Sequence, residues 1–151
     1  MPTLKEQLRA DLTTAMKARD ETRTRTLRMA LTSISNEEVS GTVAHDLTED
    51  QVIKILTREA KRRREAAAAF AEAGREEQAA AERAEEEVLV GYLPAQLSDD
   101  ELAGIVAAAI AETGASGPAG IGQVMMVVTP KVAGRAEGSR VAALVRSQLS
   151  S

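Results

Sequence analysis

Residues 48–74 read TEDQVIKILTREAKRRREAAAAFAEAG and carry the longest helical pattern in the chain. Thr48 and Gln51 fit a capping box, and Gly74 stands where helices commonly end in a left-handed residue. At roughly 1.5 Å per residue, such a helix is about 37 Å long. The stretch therefore predicts one long helix with an apolar stripe. The apolar positions at helical spacing are Val52, Ile53, Ile55, Leu56, Ala60 and Phe70.

Two shorter helices are predicted before this stretch. Thr3 to Glu6 has the form of a capping box, and the helix that it opens ends near Arg19 or Asp20. The second helix ends at Ser40-Gly41, where the glycine breaks the pattern. Apolar residues three and four positions apart predict one buried face on each helix. These residues are Leu4, Leu8, Leu12, Ala15 and Met16 in the first helix, and Leu27, Ala30, Leu31 and Ile34 in the second.

A fourth helix is predicted from Arg75 to Tyr92. It is polar through Glu87 and apolar only beyond that residue, so we expect it to meet the other helices mainly through its C-terminal end, with its middle in solvent. Leu93-Pro94 stops the helix, because the residue before a proline disfavours the α conformation. We therefore expect a boundary between two domains, at residues 1–93 and 94–151.

The last third of the chain predicts three short helices. Ser98 opens the first with another capping-box pattern, Gly114 ends it, and Pro130 lies near the end of the second. The run Val124 to Val128 is rich in β-branched residues, but a lone short strand would have no partner here, which favours a helix. The predicted fold is all-α, with an N-terminal bundle of about four helices and a small three-helix C-terminal domain.

Several classes of chemistry lack the residues that they need. The chain has no Cys, which excludes disulfides, thiolate metal sites and a cysteine nucleophile. Its one histidine, His45, lies in a polar loop and is expected to be a solvated side chain. Glu85 to Glu87 point about 100° apart around a helix, so we expect a solvated acidic face and not a cation site. We expect no intrinsic catalytic site, no metal and no cofactor, because no nucleophile–base set or phosphate-binding glycine loop is recognisable.

The hydropathy pattern indicates a protein of the cytoplasm. The chain has no run of about 18 uncharged apolar residues, the length that a membrane span needs. Residues 1–10 contain Lys5, Glu6 and Arg9 where a secretory signal would be apolar. We therefore expect no membrane span, no secretory signal and a cytoplasmic location.

The net charge of −4 conceals a segregation of charge along the chain. Residues 54–64 hold six basic groups and one acidic group, whereas residues 65–101 hold two basic and eleven acidic groups. The basic stretch could form a ridge that neutralises phosphates. Its arginines could instead pair with carboxylates of the fourth helix across an antiparallel hairpin, which is the interpretation that we favour. The basic ridge comprises Lys54, Arg58, Lys61, Arg62, Arg63 and Arg64.

A second basic cluster lies in residues 118–151, which hold four basic groups and one acidic group. Lys131 and Arg135 flank the turn between the last two helices, and this turn is our preferred ligand contact. Because residues 94–151 contain no aromatic side chain, any nucleic acid there would be recognised by its backbone and shape. A solvated loop is an equally good interpretation. The cluster comprises Lys131, Arg135, Arg140 and Arg146.

Five short sequence strings, taken together and in their order along the chain, are specific enough to indicate a protein family. They are AGREE at 73–77, YLPAQLS at 92–98, AETGA at 111–115, GQVM at 122–125 and KVAGRAEG at 131–138. Together they resemble the YqeY family, whose C-terminal part is similar to the tail domain of GatB, a subunit of the glutamine-dependent aminoacyl-tRNA amidotransferase. The resemblance covers essentially the whole chain.

This resemblance implies two helical domains and an association with tRNA-dependent amidation, in which the GatB tail holds the tRNA while other modules do the chemistry. The enzyme label that it implies is a carbon–nitrogen ligase with glutamine as amido donor. The chain departs from the tail's pattern at Glu137, Ser139 and Met126, where aspartate, lysine and glycine are common. The residues that match the tail's turn, and are candidates for nucleic-acid contact, are Lys131, Gly134, Arg135 and Gly138, with Arg140 adjacent.

Three hypotheses about function follow from these observations. The first is a non-catalytic accessory module, related to the tRNA-dependent amidotransferase, that contacts tRNA through the basic C-terminal turn. The second is a protein-interaction module that docks on a partner in translation, or in the amidotransferase complex, without binding RNA. The third is a component of an amide-forming enzyme, which an assay for amidation of mischarged tRNA would identify.

Overall fold

The computed structural model describes residues 2–150, and its regular elements over that range are all helical. This confirms the predicted all-α class, including a helix for the run Val124 to Val128. Among the described residues, no individual helix has both the length and the apolar character that crossing a membrane requires. The helices are α1 (Leu4–Ala18), α2 (Glu21–Glu38), α3 (Glu49–Glu72), α4 (Glu76–Val90), α5 (Asp99–Thr113), α6 (Ile121–Val132) and α7 (Gly138–Leu149), with a short 3₁₀ turn at Pro118–Gly120.

Capping residues and glycines near the helix ends determine where several helices begin and end. The side chains of Thr3, Thr48 and Ser98 each accept a hydrogen bond from the backbone N–H of the residue three positions later. The side chain of that later residue in turn accepts a hydrogen bond from the backbone N–H of the capping residue, which completes the capping box. Gly74 follows α3 with a φ of 76°, and Gly114 follows α5 with a φ of 66°. All five of these predictions are confirmed, because caps depend on residues that are neighbours in the sequence.

The chain divides into two compact units with the boundary between Leu93 and Pro94. Helices α1–α4 form the first unit and helices α5–α7 form the second. Each unit has its own apolar cluster. That each unit is an independent domain stays a prediction. The first cluster includes Leu8, Leu27, Ile34, Leu56 and Leu89, and the second includes Leu102, Val106, Val124, Val128 and Val145.

The prediction for α4 was wrong in one respect. One face of its middle is buried, since Ala79 is fully buried and Glu85 is only 7% exposed, while Ala81 and Arg83 are exposed. The helix packs extensively on α3 and also contacts α2. Two physical reasons account for this: the methyl group of Ala79 permits close approach, and the charge of Glu85 is neutralised by arginines from α2 and α3.

The end of α6 lies near Pro130, as expected. The helix ends at Val132, two residues beyond the proline. Pro130 lacks the N–H that would donate to the carbonyl four residues back, so α6 loses one backbone hydrogen bond in its last turn. Val132 is buried in the second apolar cluster, so its packing favours the two helical residues that follow the proline.

Candidate nucleic-acid interface

The turn between α6 and α7 is held in place by backbone hydrogen bonds. Gly134 adopts a left-handed conformation with a φ of 72°, and the Arg135 N–H donates to the Val132 carbonyl. The segment before α5 binds the other side of the turn. The Leu97 N–H donates to the Arg135 carbonyl at 2.8 Å, and the Gln96 amide donates to the Gly134 carbonyl at 3.1 Å. The turn is therefore fixed by long-range contacts within the second unit.

Two of the predicted contact residues lie at one groove. Lys131 and Arg135 both line a shallow groove of about 420 Å³, which we call the α5 groove. Lys131 pairs with Glu112 at 3.3 Å, and both side chains are about half exposed. Such an exposed pair contributes only about 0–1 kcal/mol, so a competing anion can replace Glu112 at little cost. The remaining lining residues are Leu97, Glu101, Gly104, Ile105 and Ala108.

A carboxylate shares this groove with the two cations. Hydrogen bonds from the Ser98 backbone and hydroxyl, together with the nearby charge of Arg135, hold the pKa of Glu101 below its ordinary value. Glu101 is therefore ionised at neutral pH, and its charge partly offsets that of Arg135. A bound anion is expected to favour the part of the groove that Lys131 and Arg135 line.

Arg140 occupies a different position from the other two cations. Its guanidinium binds the Asp99 carboxylate at 2.7 Å and the Leu97 carbonyl at 3.0 Å. These bonds tie the first turn of α7 to the segment that leads into α5. The structure thus brings Lys131 and Arg135 together and gives Arg140 a role in positioning the turn.

The remaining candidate residue, Gly138, begins α7. Its N-cap residue, Glu137, makes no side-chain capping hydrogen bond, and its carboxylate accepts a hydrogen bond from the Ser139 hydroxyl. Helix N-termini attract anions, because backbone N–H groups without helical acceptors point outward. A Cβ at Gly138 would meet no atom within 4 Å, so the backbone there is open to close approach.

The basic ridge of the first unit is not one continuous surface. Arg63 is only 5% exposed and donates to the carboxylate and the carbonyl of Glu59. Its guanidinium also lies 3.7 Å from Glu85, while Arg64 pairs with Glu86 at 3.4 Å. Pairing across the α3–α4 hairpin, the interpretation that the sequence favoured, is confirmed for these two arginines. Lys54, Arg58, Arg62 and Arg64 are exposed, and Lys61 is partly exposed.

Helix α2 completes this buried charge network. The Ser33 hydroxyl donates to Glu59 at 2.9 Å, and Arg25 donates to Glu85 at 2.8 Å. Burial alone would raise the pKa of Glu59, but hydrogen bonds from Ser33 and Arg63 and the charges of nearby arginines hold it below its ordinary value. The expected solvated acidic face is therefore wrong at Glu85.

One pattern in the sequence could have indicated this network. Glu59 and Arg63 lie four residues apart and fall on the same helical stripe as Leu56, Ala60 and Ala67, all of which are buried. Charged residues on an apolar stripe indicate a buried ion pair. His45, by contrast, lies exposed in the loop between α2 and α3, as predicted.

Comparison with known proteins gives a family match over most of the chain. A family described as Yqey-like protein matches residues 5–149. This match extends over both units and includes the whole of the α6–α7 turn. No curated protein sequence matches the chain.

Proposed function

The chain belongs to the YqeY family, and from this premise we propose that it is a non-catalytic accessory module that contacts tRNA through the α6–α7 turn. The observation that carries the proposal is the α5 groove, which Lys131 and Arg135 both line. The similarity of the turn to the GatB tail supplies tRNA as the class of nucleic acid.

The chemistry of the turn suits a phosphate backbone. An ammonium group at Lys131 and a guanidinium at Arg135 both bind phosphate oxygens, and the uncapped start of α7 adds backbone N–H groups. Aromatic side chains, on which unpaired bases stack, are absent from residues 94–151. The contact is therefore independent of base sequence and depends on the shape and charge of the RNA.

The electrostatics of the turn favour modest, salt-sensitive binding. Lys131 has Glu112 beside it, and Arg135 lies near Glu101. Phosphates must compete with these carboxylates, and the attraction is screened as salt is added. Arg140 acts indirectly by holding the turn against Leu97 and Asp99.

In this proposal the amidation chemistry belongs to another protein. We expect the pure protein to form no amide on mischarged tRNA when glutamine and ATP are supplied. Activity of the pure protein in that assay would favour the third hypothesis, a component of an amide-forming enzyme. The carbon–nitrogen ligase label would then describe the chain itself.

The test is a fluorescence-anisotropy titration against uncharged total tRNA and a length-matched duplex DNA at two salt concentrations. The double variant Lys131→Glu/Arg135→Glu removes both groove cations. Its matched control is Lys54→Glu/Arg58→Glu, which changes the net charge equally on exposed positions of α3. We expect the first variant to lose tRNA affinity and the control to retain it, with tRNA bound more tightly than DNA.

The control separates specific contact from general attraction. If both double variants lose affinity equally, the binding reflects net charge and the proposed contact at the turn is wrong. If the wild-type protein binds no tRNA at low salt, the accessory module does not act through RNA.

One observation favours the protein-interaction alternative. Met126, on α6, is 80% exposed, which is unusual for a large apolar side chain. Methionine adapts to varied apolar partners and is frequent at binding surfaces. A specific crosslinked partner that is lost in Met126→Glu, with no binding of tRNA, would support docking on a translation-related protein.

A further inference from the structure

The α5 groove has a floor that is unlike its rim. We call its charged lining residues, Lys131, Arg135 and Glu101, the rim, and its uncharged lining residues, Leu97, Gly104, Ile105 and Ala108, the floor. Phosphate alone needs no apolar floor. The groove therefore has room and chemistry for a second part of its ligand.

Gly104 is the one floor residue without a side chain. It lies inside α5, where glycine is less favourable than alanine because it loses more backbone freedom. A Cβ at this position would meet no atom within 4 Å, so packing within the chain does not require a glycine. Its effect is to leave the helix backbone open to whatever enters the groove.

We propose that the α5 groove seats one sugar–phosphate segment of the bound RNA. The C–H face of a ribose lies on the floor at Gly104, Ile105 and Ala108, and adjacent phosphates contact Lys131 and Arg135. Charge complementarity selects a polyanion, and the apolar floor selects one whose charged groups alternate with less polar ones. This inference rests on the proposed function and specifies which part of the RNA the site holds.

The carboxylate in the groove limits where the phosphates lie. Glu101 is held at the start of α5, since its carboxylate accepts a hydrogen bond from the Ser98 N–H at 3.1 Å. A phosphate close to Glu101 would be repelled, whereas one near Lys131 gains a cation whose existing pair is exposed and weak. The groove therefore orients the RNA backbone along its length.

The test fills the groove without changing any charge. Gly104→Leu puts a bulky side chain on the floor, and Ala107→Leu adds similar bulk to an exposed position of the same helix that does not line the groove. In the tRNA titration we expect Gly104→Leu to weaken binding by about fivefold or more. Its salt dependence should equal that of the wild type, because the phosphate contacts keep their charges. Ala107→Leu should bind within about twofold of the wild type.

The outcomes separate this inference from the proposed function. If Lys131→Glu/Arg135→Glu loses affinity but Gly104→Leu does not, the phosphates are bound at the rim and the groove inference is wrong. If neither variant loses affinity, the proposed contact fails and the inference fails with it. Circular dichroism checks that Gly104→Leu is folded. Ala108→Leu, also on the floor, provides a second variant that should weaken binding in the same way.

Discussion

The two units of the molecule use charge in opposite ways. In the first unit the buried residues include Thr26, Glu59, Arg63 and Glu85, which form part of its interior. In the second unit every buried side chain within residues 94–150 is apolar, and the charged residues lie at the surface. Part of the basic run of α3 therefore holds helices together through buried ion pairs, whereas Lys131 at the α6–α7 turn pairs with an exposed carboxylate, that of Glu112.

This difference means that the density of basic residues in a sequence does not measure surface charge. Residues 61–64 are the densest basic stretch in the chain, yet Arg63 is buried and Arg64 pairs with Glu86. Lys131 and Arg135 are more sparsely placed, but a single groove unites them. Position relative to the core decides which basic residues reach the surface.

The largest expected effect is the loss of the buried arginine. Arg63→Met leaves the carboxylates of Glu59 and Glu85 buried without their shared partner, which should lower the free energy of unfolding by about 3 kcal/mol. Urea unfolding at neutral pH measures this change. Arg62→Met is the matched control, because Arg62 is two-thirds exposed and its pair with Glu59 should contribute less than about 1 kcal/mol. Similar losses in the two variants would contradict the contrast between the units.

The first unit should also be sensitive to alkaline pH. Burial, and then a hydrogen bond from the phenol to Asp11, raise the pKa of Tyr92 to about 12, although the Arg23 guanidinium opposes this. The folded state holds the phenol neutral, whereas the unfolded chain ionises it near 10. The contribution of the neutral Tyr92 phenol to the free energy of unfolding is therefore fully present below pH 10 and is lost as the pH rises toward 12.

Direct titration can check this prediction, because the chain has one Tyr and no Trp. The absorbance of tyrosinate in the folded protein should have its midpoint near 12. Urea unfolding should show that the Tyr92→Phe protein loses less stability than the wild type between pH 10 and 12. A tyrosinate midpoint near 10 would contradict a buried, bonded phenol.

A smaller effect is expected at Arg140. Arg140→Ala removes a charged hydrogen bond to the Leu97 carbonyl and an exposed pair with Asp99, which should cost about 1–2 kcal/mol. Arg146→Ala, on the exposed side of the same helix, should cost less than about 0.5 kcal/mol. Thermal unfolding of both variants measures the difference. An Arg140→Ala protein as stable as Arg146→Ala would show that the turn does not depend on this tie.

The smallest effect is a gain in stability at Gly104. Gly104→Ala should raise the free energy of unfolding by about 0.5–1 kcal/mol, because alanine favours the helix and meets no neighbouring atom. The same change at Gly114, which has a φ of 66°, should destabilise the protein. A loss of stability in Gly104→Ala would mean that the glycine has a packing role within the chain.

Structural features that depend on near neighbours in the chain could be predicted from the sequence. The capping residues Thr3, Thr48 and Ser98, and the left-handed glycines at 74 and 114, are determined within a few positions of themselves. The apolar stripes likewise follow from helical periodicity. These features account for the helix count and for most of the helix boundaries.

Contacts that join distant parts of the chain could not be predicted from the sequence. Nothing near Glu85 indicates that Arg25, sixty residues earlier, binds its carboxylate. The role of Arg140 depends in the same way on Leu97 and Asp99. The α5 groove needs both α5 and the α6–α7 turn, so Gly104 could not be identified as part of a site from its own surroundings.

Binding of tRNA by two double variants of equal charge tests directly whether the α6–α7 turn contacts the RNA. We expect Lys131→Glu/Arg135→Glu to lose most of its tRNA affinity and to depend less on salt, with a slope smaller by about one for each phosphate that the variant no longer binds. We expect Lys54→Glu/Arg58→Glu to bind as the wild type does. An equal drop in affinity in the two variants, or retained binding in the first, would show that the turn is not the contact.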